Sequence, residues 1–137
     1  MGRAVVAVYR EEFVIVGWSD PEGTRHRLGS LLLGYYTPDD KLIYAGRVGT
    51  GMSDNELERL WQKLQPLALD KMPLAEAPPR GSRFGTPLVL SRVRWVRPEM
   101  VVEVSYLTWT EDSLLRQVVY LGEREDKPAA AVGRNGP

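Results

Sequence analysis

Cysteine is absent from the chain and histidine occurs once, at His26. These shortages leave no disulfide framework, no thiolate metal cluster and no nucleophilic triad to assemble. His26 lies in the polar turn Thr24-Arg-His-Arg27 and reads as a solvated loop residue. No apolar run approaches the roughly 18 residues that a membrane span needs. The opening Met1-Gly-Arg-Ala-Val lacks the organisation of a signal peptide. A reducing, cytoplasmic setting with no membrane partner is the expectation. Lysine is scarce as well: of 18 basic residues, four are Lys and the rest Arg. The formal net charge is zero, so bulk electrostatics carries no nucleic-acid signal.

What is present is enough apolar surface for one core. At 137 residues and 43% hydrophobic content the chain reads as one domain over 1–137. Its organising stretch is residues 28–65. Gly29-Ser-Leu-Leu-Leu-Gly-Tyr-Tyr36 reads as a strand, Thr37-Pro-Asp-Asp40 as its turn and Lys41-Leu-Ile-Tyr-Ala-Gly-Arg-Val48 as the returning strand. Ser53-Asp-Asn-Glu56 has the S-x-x-E form of a capping box, in which the serine hydroxyl and the glutamate carboxylate each satisfy a free N–H. Leu57, Leu60, Trp61 and Leu64 then make one apolar helix face.

Residues 4–18 before this stretch form a long β-rich run, with a bulge or bend expected at Arg10-Glu-Glu12. Ser19-Asp-Pro-Glu-Gly23 is a turn by composition. The helix should end at Pro66, and the Pro- and Gly-rich residues 66–90 should lie over the surface. Arg92-Val-Arg-Trp-Val96 alternates, setting Arg92 and Arg94 on one face. The two strands after the helix run over 100–109 and 114–121, with a turn at Glu111-Asp112-Ser113. The tail after Pro128 has nothing to bury, so 129–137 should be flexible. The order of three strands, a helix and two strands predicts an all-β fold with one helix. It matches the five-stranded OB-fold barrel, whose helix lies between strands 3 and 4 and whose curved face binds oligonucleotides or oligosaccharides. Another small β-barrel with one helix fits the same order.

Three features bear on phosphate binding. Residues 80–97 hold five arginines and no acid, and the guanidinium forks onto phosphates; Arg92, Arg94 and Arg97 are the expected DNA contacts. Gly46-Arg-Val-Gly-Thr-Gly51 precedes a helix but matches neither common phosphate-loop motif, so its glycines more simply supply positive φ and close approach. Arg124-Glu-Asp-Lys127 offers two cations with a carboxylate between them, an arrangement suited to polyphosphate or equally to a solvated surface. Glu103, Glu111, Asp112, Glu123, Glu125 and Asp126 show no spacing that demands acid–base work. Among the four tryptophans, Trp61 and Trp95 are expected in the core, while Trp18 or Trp109 is a candidate base-stacking platform.

Five separated blocks give a resemblance. Glu12-Phe-Val-Ile-Val-Gly-Trp18, Leu31-Leu-Leu-Gly34, Tyr44-Ala-Gly-Arg-Val-Gly-Thr-Gly51, Trp95-Val-Arg-Pro98 and Gly122-Glu-Arg-Glu-Asp-Lys-Pro128 occur in order over residues 10–132. Together they resemble the C-terminal OB domain of ATP-dependent DNA ligases, closest to the bacterial polymerase–ligase type of non-homologous end joining. The resemblance implies a nucleoid-associated module that binds nicked duplex or DNA ends and closes over a separate adenylation domain. It also implies that Arg124, Asp126 and Lys127, matching the family's R-x-D-K, orient the departing pyrophosphate, and that ATP and Mg engage only when the adenylation domain is present.

The family pattern is incomplete here. No lysine is followed by x-Asp-Gly, so the AMP-accepting nucleophile is not in this chain and the chain alone should not join DNA. Gly2, Ala4 and Val6 stand where the family has the Trp and two Lys of W-[LI]-K-x-K. Residues 1–9 therefore read as a divergent first strand, either of a separately encoded OB module or of a fragment with foreign first residues. The rival function is a standalone structural or protein-interaction barrel.

Overall fold

Residues 8–20, 27–79 and 90–133 are described in a computed structural model of the chain. Residues 1–7, expected as part of a divergent first strand, most of the expected Ser19–Gly23 turn, His26, Arg80 and Arg83, and residues 134–137 lie outside them. Among the described residues the fold is mostly β with one α-helix, and its sheet core is consistent with an OB-fold.

The long β1 (Tyr9–Ser19) is the hub. Its C-terminal half pairs antiparallel with β2 (Leu31–Tyr36), which pairs in turn with β3 (Leu42–Val48). Its other edge is shared between two partners: Gly17, Trp18 and Ser19 face β5 (Val93–Val96), while residues 9–14 face β6 (Val101–Tyr106). One strand thus serves two parts of a curved sheet. The bend is not at Arg10-Glu-Glu12, which pairs regularly with Ser105, Val104 and Glu103. The register with β2 shifts instead between Ile15 and Gly17, where a Cβ on Gly17 would lie 2.8 Å from the Arg94 carbonyl oxygen. The strand bends where β5 comes closest.

Helix α1 (Asp54–Leu64) follows β3, and the Ser53 side chain accepts from the Glu56 N–H at 3.1 Å as the capping signature predicts. The second half of that box does not form, because the Glu56 carboxylate turns to Arg59 and to Tyr120. Leu57, Leu60 and Leu64 are buried, whereas Trp61 is half-buried beneath the Arg27 guanidinium, 4.3 Å from its ring centre. Pro66 lies in a short 3-10 turn beyond the helix.

Five strands were expected and nine segments are present among the described residues. The connection after α1 contributes the short β4 (Ala68–Leu69), paired with β5. The two expected last strands are each broken: β6 gives way at Leu107 to β7 (Thr108–Trp109), and positive φ at Gln117 separates β8 (Leu115–Arg116) from β9 (Val119–Glu123). Strand β9 pairs with β6. Among the described residues no ladder joins β3 to β9, so the sheet is open there, and a backbone bond from the Tyr120 N–H to the Thr50 carbonyl at 2.9 Å spans the seam.

Two cores result. The larger packs Phe13, Ile15, Leu33, Tyr106 and Trp109 with the apolar face of α1. The smaller lies on the other side, around Val16, Leu32, Tyr44 and Val93, and Leu74 of the long connection seals it. Among the described residues after Pro128, Val132 does find something to bury. Val132 is 2% exposed, its carbonyl accepts from the Tyr36 N–H, and Gly133 bridges to Tyr36. No helix among the described residues is long and apolar enough to cross a membrane.

Candidate phosphate and nucleic-acid site

The Arg124-x-Asp-Lys127 motif begins where β9 ends. The Arg124 N–H donates to the Val101 carbonyl at 2.8 Å, a last bond to β6 before the chain turns at Glu125-Asp126. Within the motif, Arg124 grips Asp126 with both arms of its fork, Nε–Oδ1 at 3.1 Å and Nη2–Oδ2 at 3.0 Å. That pair holds the Asp126 carboxyl below its ordinary range and the Arg124 guanidinium above its own. Both stay charged.

Two carboxylates from other strands complete the surroundings. Glu12 of β1 lies 3.4 Å from Lys127 Nζ, and Glu103 of β6 lies 3.9 Å from Arg124 Nη1 and 3.4 Å from Arg10. Arg10, Arg124 and Lys127 are therefore gathered on one patch across β1, β6 and the end of β9, interleaved with Glu12, Glu103 and Asp126. Lys127 and the Arg124 head remain about a third exposed, within reach of an anionic group.

A second ionic network lies on the α1 side of β9. The Glu123 side chain, only 8% exposed, accepts from Arg59 Nη1 at 2.9 Å and from Lys63 Nζ at 2.8 and 2.9 Å. Arg59 also forks onto Glu56, Lys63 reaches Glu125 at 3.2 Å, and the Tyr120 hydroxyl donates to Glu56. The hydrogen bonds that Arg59 donates to Glu56 raise its guanidinium, and those that Lys63 donates to Glu123 raise its ammonium.

The three expected DNA arginines lie elsewhere. Arg92 falls in a 3-10 turn ahead of β5, Arg94 within β5 and Arg97 just after it, all exposed. Arg94 reaches Asp20 at 3.3 Å; Arg97 reaches Glu99 and the Pro66 carbonyl, both at 3.4 Å. Each keeps more than half of its side chain in solvent. Arg94 pairs with Trp18 while Lys127 lies beside Glu12, so six residues of β1, on the order of 20 Å, separate these two. Arg94 and the motif lie on separate surfaces.

Trp18 and Trp109 are buried in the larger core, so neither offers a face to a base. Gly46 and Gly51 have φ of 130° and 96°, and a Cβ on Gly51 would sit 2.6 Å from the Tyr120 carbonyl oxygen. This loop serves close approach to β9. Sequence reasoning missed Glu12, Glu103 and the Arg59–Lys63–Glu123 network. The one signal for the last was the spacing of Glu56, Arg59 and Lys63 along a single helix stripe.

Comparison with known proteins settles the affiliation. The family model described as the ATP dependent DNA ligase C terminal region matches residues 24–127. The chain belongs to that family. This ligase C-terminal region is 44% identical over 130 residues, 93% of the chain, to the multifunctional non-homologous end joining protein LigD of Pseudomonas aeruginosa. It superposes on the crystal structure of the ligase domain from M. tuberculosis LigD with a TM-score of 0.81 at 38% identity, covering 93% of this chain and 39% of that one. A mycobacterial DNA ligase D complexed with ATP and MES gives a TM-score of 0.73 at 37% identity, covering 93% of this chain and 38% of that one. The chain spans about 15% of the length of the LigD relatives it matches.

Proposed function

We propose that this chain is the OB-type domain of an end-joining DNA ligase, working with an adenylation domain that it does not itself contain. In this reading the strand order is that of a five-stranded OB barrel, with β7, β8 and the short β4 as local breaks and additions. The module has two duties. Closed over the adenylation domain, Arg124 and Lys127 neutralise the pyrophosphate of Mg–ATP while the lysine nucleophile of that domain attacks the α-phosphorus. A P–N bond forms as the neutral amine gives up a proton to solvent, the P–O bond to pyrophosphate breaks, and the leaving charge is met by fixed cations. Asp126 keeps the guanidinium oriented. Swung away, the module lays Arg92, Arg94 and Arg97 against the phosphates of a nicked duplex or DNA end in the bacterial nucleoid.

The observation that carries this reading is the patch on which Arg124 and Lys127 stand partly exposed, Arg124 near Glu103 and Lys127 beside Glu12, two carboxylates that an incoming polyphosphate would replace. The separation of Lys127 from Arg94 along β1 supports two faces for two steps. Family membership does not favour the rival, a standalone interaction barrel.

The test mixes the chain with the adenylation domain of a LigD relative, labelled ATP and Mg. Labelled lysine–AMP should form faster than with the adenylation domain alone, and Arg124→Ala should abolish the gain. The chain by itself should acquire no AMP. Failure to raise labelling, together with no affinity for nicked duplex at low salt, would return the chain to the interaction-barrel reading.

A further inference from the structure

Strand β9 carries one residue more than its partner needs. Glu103 pairs with Gly122 and Val104 with Tyr120, so Leu121 is skipped. In an unbroken strand Tyr120, Gly122 and Arg124 would share one side, with Glu123 on the other. The skipped residue reverses the alternation, and a bulge commonly re-aims a side chain in this way. Beyond it, Glu123 joins Tyr120 on the α1 side and Arg124 joins Glu103 on the opposite side. The contacts agree: Tyr120 and Glu123 both bond to α1, through Glu56 and through Arg59 and Lys63, while Arg124 approaches Glu103.

We infer that the Leu121 bulge and the Glu123 carboxylate are positioning elements that aim Arg124 and Lys127 at the pyrophosphate. Glu123 touches no substrate. It is the residue directly before the motif, it is nearly buried, and it is held by three short charge-assisted bonds to two residues of one helix turn. With Glu123 fixed on one side, the next residue has one direction left. Helix α1 thereby sets the angle at which the motif leaves the sheet. The inference rests on the proposed role of Arg124 and Lys127, and its test separates the two.

In the chain alone, the Arg124 Nε–H and Lys127 Nζ signals are followed by NMR in wild type and Glu123→Gln. The carboxamide keeps the shape and loses the charge, and both signals should shift and broaden. Unchanged signals would overturn the inference irrespective of any ligase activity. With the adenylation domain of a LigD relative added, Glu123→Gln should slow lysine–AMP formation at least about tenfold, as small misplacements of a positioning group do. Sealing of a nick that already carries AMP should change by less than about threefold, because pyrophosphate plays no part in that step. Equal losses in both steps would mark Glu123 as merely structural. Deleting Leu121 should reproduce the selective loss; if that variant fails to fold, Glu123→Gln decides alone. A wild-type chain that does not raise lysine–AMP formation counts against the proposed function, and the NMR comparison still judges the clamp.

Discussion

Glu12 on β1 and Glu103 on β6 are direct cross-strand partners, two carboxylates face to face in an antiparallel ladder. Such like-charge pairs are unfavourable by tenths of a kcal/mol to about 1 kcal/mol. Here Lys127 stands at one and Arg10 and Arg124 at the other. Removing Lys127 should expose the repulsion. Lys127→Ala is expected to cost under about 1 kcal/mol in urea unfolding, since the pair is partly solvated. Adding Glu12→Gln in that background should recover most of it. A loss that the second substitution leaves untouched would mean that Lys127 stabilises by packing.

Gly51 offers a larger effect. At φ 96°, with the Tyr120 carbonyl oxygen 2.6 Å from where a Cβ would lie, Gly51→Ala meets both backbone strain and a clash with an atom that cannot rotate away. A loss of about 2 kcal/mol or more is expected, from the left-handed penalty of 1–2 kcal/mol plus displacement of β9. The Tyr120 amide, which donates to Thr50 across the open seam, should exchange with solvent faster in this variant.

Acid should weaken the link between α1 and β9. The Arg59 hydrogen bonds, aided by the Tyr120 hydroxyl, hold the Glu56 carboxyl below its ordinary 4.5. The unfolded chain thus takes up this proton at a higher pH than the folded one. The contribution is complete above pH 4.5 and is lost as pH falls through the lower folded value. Thermal midpoints measured from pH 7 to 3 should fall over the acid end of that window. Glu56→Gln should flatten the fall without abolishing it, because the Asp39 and Asp126 carboxyls are also lowered. An unaltered profile would rule out Glu56 as a contributor.

The β5 arginines should act on DNA by charge. Alanine at Arg92, Arg94 or Arg97 should weaken binding to nicked duplex about equally across sequences, each reducing the slope of log affinity against log salt by about 1. A substitution that changes affinity with no change in slope would remove that residue from the phosphate-contacting set.

How far the chain could be read in advance depends on where each partner lies. The hairpin around Thr37–Asp40 and helix α1 were legible, because a turn and an N-cap are decided by neighbours a few residues away. Glu56 was misread because its carboxylate is drawn off the cap by two partners at once, the Arg59 fork one turn on and the Tyr120 hydroxyl, which lies 64 residues distant and has no local signature. The bend in β1 follows the approach of β5, and the burial of Trp18 and Trp109 follows packing, neither of which has a local signature. The R-x-D-K motif was visible through family resemblance. Glu12, Glu103 and Glu123, which surround it, were not, since antiparallel pairing and helix packing bring them together from remote parts of the chain.

The last turn of chain should matter for stability despite its plain composition. Val132 is 2% exposed within the larger core, and its carbonyl fixes the end of β2. Val132→Ala should cost about 1.5–3 kcal/mol, from two lost methyl groups and the space they leave. Urea unfolding measures this directly; a loss within about 0.5 kcal/mol, as for an ordinary surface position, would show that residues 129–133 contribute little.

The odd residue in β9 also limits what could be moved to another scaffold. Grafting only the four residues that bear the R-x-D-K charges onto a regular strand end would aim the guanidinium at the wrong side of its new host. The transferable unit is residues 119–127 together with a helix offering an arginine and a lysine one turn apart, because parity along the strand, as much as chemical identity, decides where the cations point.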